Sequence, residues 1–174
     1  MGPAQLLVLQ YHSGDSYATK ATEARIADYG NRGFPTVIFD GANPLIGAGS
    51  EASAYTTQGA AINKELAKAP VVAITATMSV SGGIKVSVSI ANTGSAALSA
   101  ARLRVVLYED IGTSEHHYAV RDIVTPMAIS NLAAGGGQQF TATSTYAGGT
   151  ARLNAVVFVE ASNGDTLQAA LASK

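Results

Sequence analysis

From residue 72 onward, apolar and polar side chains alternate one for one. The runs are Val72-Ile74-Ala76-Met78, Ile84-Val86-Val88-Ile90 and Leu103-Val105-Leu107. A period of two sets the apolar residues on one side of an extended chain, which no helix can do, so each run is expected to be a half-buried strand. Ser81-Gly82-Gly83 and Asn92-Thr93-Gly94 supply turns between them. Further strands are expected at 116–124, 137–145, 151–160 and 166–171, divided by Ala-Gly-Gly-Gly, Ala-Gly-Gly and Asn-Gly-Asp. Short strands at this spacing, with no long helix among them, predict an antiparallel β-sandwich over 70–174.

The pattern before Ala69-Pro70 is different. Residues 5–11, QLLVLQY, make an apolar run of strand length, and 16–30 carry a helical pattern that Gly30 stops. Pro35 opens a β-branched and aromatic run from Thr36 to Phe39. Asp40-Gly41 makes a turn, and Pro44 to Ala48 returns as a second strand, so 36–48 reads as a hairpin. A second helix is expected from Glu51 to Lys68, with Tyr55, Ala61, Ile62 and Leu66 on its buried face. The order is therefore strand, helix, hairpin, helix over 1–69, then the sandwich.

The stretch Tyr29-Gly30 and then Gly-Phe-Pro-Thr-Val-Ile-Phe-Asp-Gly at 33–41, with a helix on each side, resembles the second half of a thioredoxin fold. In that family the proline of this segment is cis and starts the fourth strand. The resemblance implies that the backbone at Phe34, with Pro35 and Thr36, docks an extended peptide by strand addition. It covers residues 5–68 only. The family's first two strands, its first helix and its Cys-x-x-Cys have no counterpart here, so the sheet is expected to lack its central strand.

The whole chain, through YHSGDSYAT at 11–19, GFPTVIFDG at 33–41, VVLYED at 105–110, YAVRDI at 118–123 and VVFVEASNGDTLQAA at 156–170, resembles exported bacterial proteins. In these a thioredoxin-like domain precedes an immunoglobulin-like sandwich. The fold class implied is α/β plus all-β: a truncated thioredoxin-like half-domain at 1–69, then an antiparallel immunoglobulin-like β-sandwich at 70–174. The setting implied is the periplasm, outer membrane or extracellular space. MGPAQ reads as a start imposed on a shortened piece, so that any signal peptide would lie upstream.

Composition narrows the chemistry. Eleven basic against twelve acidic residues give a net charge of -1 with no basic cluster, which disfavours nucleic acid and anionic membranes as partners. No run approaches the roughly 20 apolar residues of a membrane span. The 174 residues hold no cysteine, so this chain has no disulfide and no thiolate. No cofactor or metal motif occurs, whether phosphate loop, His-Glu-x-x-His or Gly-x-Ser-x-Gly.

Two polar groups are candidate sites. His12, Ser13 and Asp15 could form a nucleophile and base, but neighbours in an extended chain point in alternating directions, and Asp15 or Ser16 fits better as a helix N-cap. Glu109, Asp110, Glu115, His116, His117 and Asp122 gather around one loop without the spacing of a calcium loop, and read as a solvated hairpin tip. Arg121-Asp122 reads as a strand pair or loop contact. The expectation is a non-catalytic binding or structural module with no catalytic, metal or cofactor residue and a peptide-docking set of Phe34, Pro35 and Thr36. Its sandwich loops would contact protein or glycan, and its exposed strand edges would allow a homodimer. The alternative is the substrate-docking half of a thiol-disulfide oxidoreductase whose cysteines lie upstream.

Overall fold

The computed structural model describes residues 6–30, 33–112 and 116–174. Most of the chain is antiparallel β-sheet, with two helices near the start. The helices are α1 (Lys20–Asp28) and α2 (Glu51–Leu66), which flank the hairpin β1 (Thr36–Phe39) and β2 (Ala42–Ile46). Then follow β3 (Val72–Ser79), β4 (Ile84–Asn92), β5 (Ala101–Asp110), β6 (Tyr118–Ile123), β7 (Met127–Ile129), β8 (Gly137–Ser144), β9 (Leu153–Glu160) and β10 (Thr166–Leu171).

Strands β3, β4 and β8 form one sheet in that order. A second runs β10-β9-β5-β6, with β7 pairing the opening of β5. Their facing sides share one core, in which Val86, Ile90, Leu103, Val105, Leu107, Leu153 and Val157 are all but inaccessible to solvent. The alternation in β3 and β4 matches this burial residue by residue.

In β5 and β9 the alternation fails as a guide to burial. Both faces of these strands are covered, because residues 6–11 and α1 lie across the outer side of their sheet. Val106, Tyr108, Val120, Val156 and Phe158 make a second, smaller core there, against which Leu7, Leu9 and Tyr11 pack. The run at 5–11 is therefore not the strand expected. Over its described part it touches β6 by one parallel bridge, Gln10 to Ala119. The three-residue β7 gives no periodic signal of its own.

Three further expectations are corrected. The first helix starts at Lys20 and not near residue 16, because Asp15 Oδ1 accepts from the Tyr17 and Ala18 N–H groups and closes a turn before it. Its N-cap is Thr19, in a reciprocal capping box with Thr22, and neither Asp15 nor Ser16 fills that role. The second strand of the hairpin lies at Ala42–Ile46, two residues earlier than read. Helix α2 ends at Leu66 and buries none of its residues; Tyr55 is 84% exposed and Leu66 48% exposed, while Ala61 and Ile62 are half-buried. A hairpin of two strands offers that helix too little surface to cover a face.

Candidate functional groove

Among the described residues the hairpin β1-β2 is a sheet of two strands by itself. Facing it across a gap runs the extended segment 6–12. Between them lies a groove of about 560 Å³, lined by residues 6–12 and 34–39 together with Ile26, Tyr29, Gln58, Ile62 and His116. That volume is in the usual range for a ligand cleft. Its walls carry exposed apolar side chains, with Leu6, Val8 and Phe34 each about half exposed or more.

The segment's own backbone explains why the gap is polar along one wall. Gln10 N–H donates to Tyr118 O at 2.8 Å, and Gln10 O accepts from Val120 N–H at 3.0 Å, so the peptide groups of Gln10 face β6. In an extended chain the adjacent residues then present theirs to the opposite edge. Among the described residues, neither Leu9 nor Tyr11 has a main-chain hydrogen-bond partner. An inserted strand would satisfy these groups, which otherwise rely on water.

The docking residues expected from the sequence all line this groove. The Phe34–Pro35 peptide bond is cis, Phe34 is 65% exposed, and Thr36 Oγ1 donates to Gly33 O at 2.6 Å.

His12 and Asp15 meet, contrary to the alternating directions expected, because the chain turns at Gly14 with φ of +69°. His12 Nδ1 lies 2.7 Å from Asp15 Oδ2, and this hydrogen bond holds the Asp15 carboxyl below its ordinary pKa. Ser13 takes no part: its hydroxyl donates to Glu23 Oε2 at 2.9 Å. The rings of His12, Tyr17 and His116 pack at mutual centroid distances of 5.0 to 5.1 Å, with the Arg121 guanidinium 5.9 Å from the Tyr17 ring.

The acidic and histidine group disperses. Glu109 faces Arg152 at 3.2 Å and Arg121 at 3.7 Å, His117 lies 3.6 Å from Asp110, and Asp122 accepts from Ser144 Oγ. Arg121 and Asp122 thus have separate partners and do not pair with each other. Glu115 lies outside the described residues. Among the described residues no three ligating side chains converge on one point.

Sequence reading missed the ion cluster that anchors this wall. Glu160 Oε2 accepts from Arg25 Nη2 at 2.6 Å and from Arg104 Nε at 2.7 Å, and Oε1 accepts from Arg104 Nη2 at 2.8 Å. All three residues are buried. Burial alone would push the Glu160 carboxyl up, but the hydrogen bonds from the two guanidinium groups outweigh it and hold it below its ordinary value. Arg25 Nη2 also donates to Tyr29 OH at 2.8 Å, and Tyr29 packs edge to face with Tyr11. Burial and the neighbouring Tyr29 raise the Tyr11 hydroxyl pKa well above its usual value. The signal was present in the sequence: a carboxylate ending the apolar run 155–159 needs a cation once that strand is covered on both sides.

The hairpin is tied to the larger sheet at its turn. Asp40 O accepts from Thr166 N–H at 2.7 Å, and Gly41, with φ of +80°, lies against the carbonyl of Gly164. Elsewhere, a depression of about 380 Å³ on the outer face of β3, β4 and β8 is lined largely by threonine, serine and glutamine side chains.

No family model matches the chain and no curated protein matches it. Solved structures do. HBP35 of Porphyromonas gingivalis aligns with a TM-score of 0.68 at 17% identity, covering 94% of this chain and 62% of that one. Protein AGR_C_4864 from Agrobacterium tumefaciens aligns with a TM-score of 0.52 at 16% identity, covering 91% of this chain and 72% of that one. The β-rich fold is therefore shared with bacterial proteins. This chain spans about three fifths of the length of the HBP35 chain it matches. Among the described residues no helix is long and apolar enough to cross a membrane.

Proposed function

We propose that this chain is a non-catalytic binding module of an exported bacterial protein, and that it binds by taking one extended polypeptide segment into the groove between residues 6–12 and β1. The observation that carries the reading is the open main chain of the 6–12 wall: among the described residues Leu9 and Tyr11 have no main-chain partner, and the groove separates them from β1. Strand addition draws its affinity from such main-chain groups, and the apolar walls supply pockets for alternate side chains. Phe34, Pro35 and Thr36 are the docking set on the β1 side.

On this reading 1–69 is a thioredoxin-like half-domain missing its central strand, and 70–174 an immunoglobulin-like sandwich that holds the groove's second wall in place. The sandwich loops are free to contact protein or glycan. The same open main chain allows a second copy of the chain to pair, which light scattering at high concentration would register as a dimer.

The test is an NMR titration with the acetylated, amidated pentapeptide Lys-Val-Thr-Val-Lys, followed by amide exchange. Binding should protect the Leu9 and Tyr11 amides. Absence of binding, or protection confined to the sandwich loops, would refute the groove.

A second reading is favoured by the place of Phe34, Pro35 and Thr36 on the groove wall. There the chain is the docking half of a thiol-disulfide oxidoreductase whose Cys-x-x-Cys lies upstream. The genomic reading frame before Met1 decides it: a strand, a helix and Cys-x-x-Cys would support this reading, and their absence would end it.

A further inference from the structure

In the sheet β3-β4-β8 one edge is covered and the other is not. The outer edge of β3 is taken by Ser173, whose N–H donates to Ala76 O at 3.0 Å and whose carbonyl accepts from Met78 N–H at 2.7 Å. The β6 edge of the facing sheet is taken by Gln10. Ala76 and Met78 thus turn their peptide groups away from β4, so Thr75 and Thr77 turn theirs toward it. The register Thr77 to Ser87 and Val88 to Phe140 carries this parity across the sheet. Gln138, Phe140 and Ala142 bond β4, and the N–H and C=O groups of Gln139, Thr141 and Thr143 point out. Asn92 N–H donates to Gly136 O at 2.9 Å, as that parity requires. Among the described residues none of the outward groups has a main-chain partner. Native edges are ordinarily blunted by a lysine, a proline, a bulge or a short strand. Strand β8 has none of these: its eight residues, Gly-Gln-Gln-Phe-Thr-Ala-Thr-Ser, carry no charge and pair β4 in unbroken register.

We propose that β8 is the interface of a homodimer, in which two copies pair their β8 strands antiparallel about a two-fold axis at Thr141 and join their three-stranded sheets into one. The groove has no part in this pairing. An axis at Thr141 makes it a hydrogen-bonded pair with its own copy, and sets Gln139 opposite the partner's Thr143 and Phe140 opposite the partner's Ala142. A hydroxyl then meets an amide on the outer face, and the half-buried Phe140 ring meets a small side chain on the inner one. Self-pairing across a two-fold axis sets any charge near the axis close to its own twin, and this strand has no charge to repel. A second β8 also arrives already ordered in its sheet, whereas a free peptide would lose conformational entropy on docking. Because Ser173 covers the opposite edge, each copy offers this sheet one free edge, so the assembly closes at two and does not grow into a fibre.

The test is sedimentation velocity on the full chain over a range of concentrations up to millimolar, for the parent and for Thr141→Lys, Thr141→Glu and Thr141→Pro. The parent should pass from monomer to dimer and no further. Thr141→Lys and Thr141→Glu each set like charges opposite one another at the axis, and each alone should dimerise about five-fold more weakly than the parent. An equal mixture of the two should regain dimers, because opposite charges then meet. Thr141→Pro keeps every bond to β4, since the Thr141 N–H points out, and should stay monomeric at the parent's melting temperature. Should that variant fail to fold, the lysine and glutamate pair decides alone. A parent that is monomeric throughout, or that grows beyond the dimer, overturns the proposal. So does a dimer that survives in folded Thr141→Pro, or a mixture that associates no more tightly than either charged variant by itself.

Discussion

At the scale of single residues, the join between the hairpin and the larger sheet depends on a backbone that only glycine adopts easily. Gly41 sits at φ of +80°, and a Cβ there would meet the Gly164 carbonyl oxygen. The left-handed conformation alone costs an L residue about 1–2 kcal/mol. Gly41→Ala is therefore expected to destabilise the fold by about 2 kcal/mol or more in urea titration, with Gly47→Ala, whose Cβ would meet nothing, as the milder control. Asn92 makes a comparable demand in the sandwich. It is buried, its amide donates to Ala96 O at 2.8 Å and Leu132 O at 2.9 Å, and its oxygen accepts from Gly94 N–H at 3.0 Å. Asn92→Leu strands those carbonyls and should cost about 2–3 kcal/mol by the same measurement. Asp40-Gly41 and Asn92-Thr93-Gly94 were legible as turns from the sequence. What each turn rests against was not, since Gly164 and Leu132 are remote in the chain.

At the scale of elements, α1 is held to the sheet by charge as well as by packing. Glu160 bridges Arg25 on the helix to Arg104 on β5, and removing one partner of such a buried cluster leaves an uncompensated charge. Arg25→Met is expected to cost about 3–5 kcal/mol. The cluster also sets a pH dependence. Because the Glu160 carboxyl is held below its unfolded value, the stabilisation it gives is complete above about pH 4.3 and falls away as pH drops through the folded value. Melting temperature should thus decline on the acid side, and the decline should be shallower in Glu160→Gln. The alternation in β3 and β4 was readable because one face of each is solvated. In β5 and β9 the same reading failed on burial, for a cover supplied by distant residues leaves no mark on a strand's own period.

At the scale of the whole molecule, the chain joins a two-sheet body to a hairpin of two strands. Both walls of the resulting groove are extended backbone: one braced on β6 through Gln10, the other a strand edge. The resemblance of 33–41 singles out Phe34, Pro35 and Thr36, which lie on one groove wall, whereas the opposing wall carries only the signal of an apolar run of strand length. His12 and Asp15 were noticed for the wrong partner, Ser13, which the turn at Gly14 sends toward Glu23. The measurement that bears most directly on this account compares Lys-Val-Thr-Val-Lys with the same peptide N-methylated at alternate backbone amides, by NMR titration against the parent chain. If the groove binds by strand addition, methylating the amides that face Leu9 and Tyr11 abolishes binding, and methylating the alternate set, which faces β1, weakens it. Equal binding of all three peptides would contradict it.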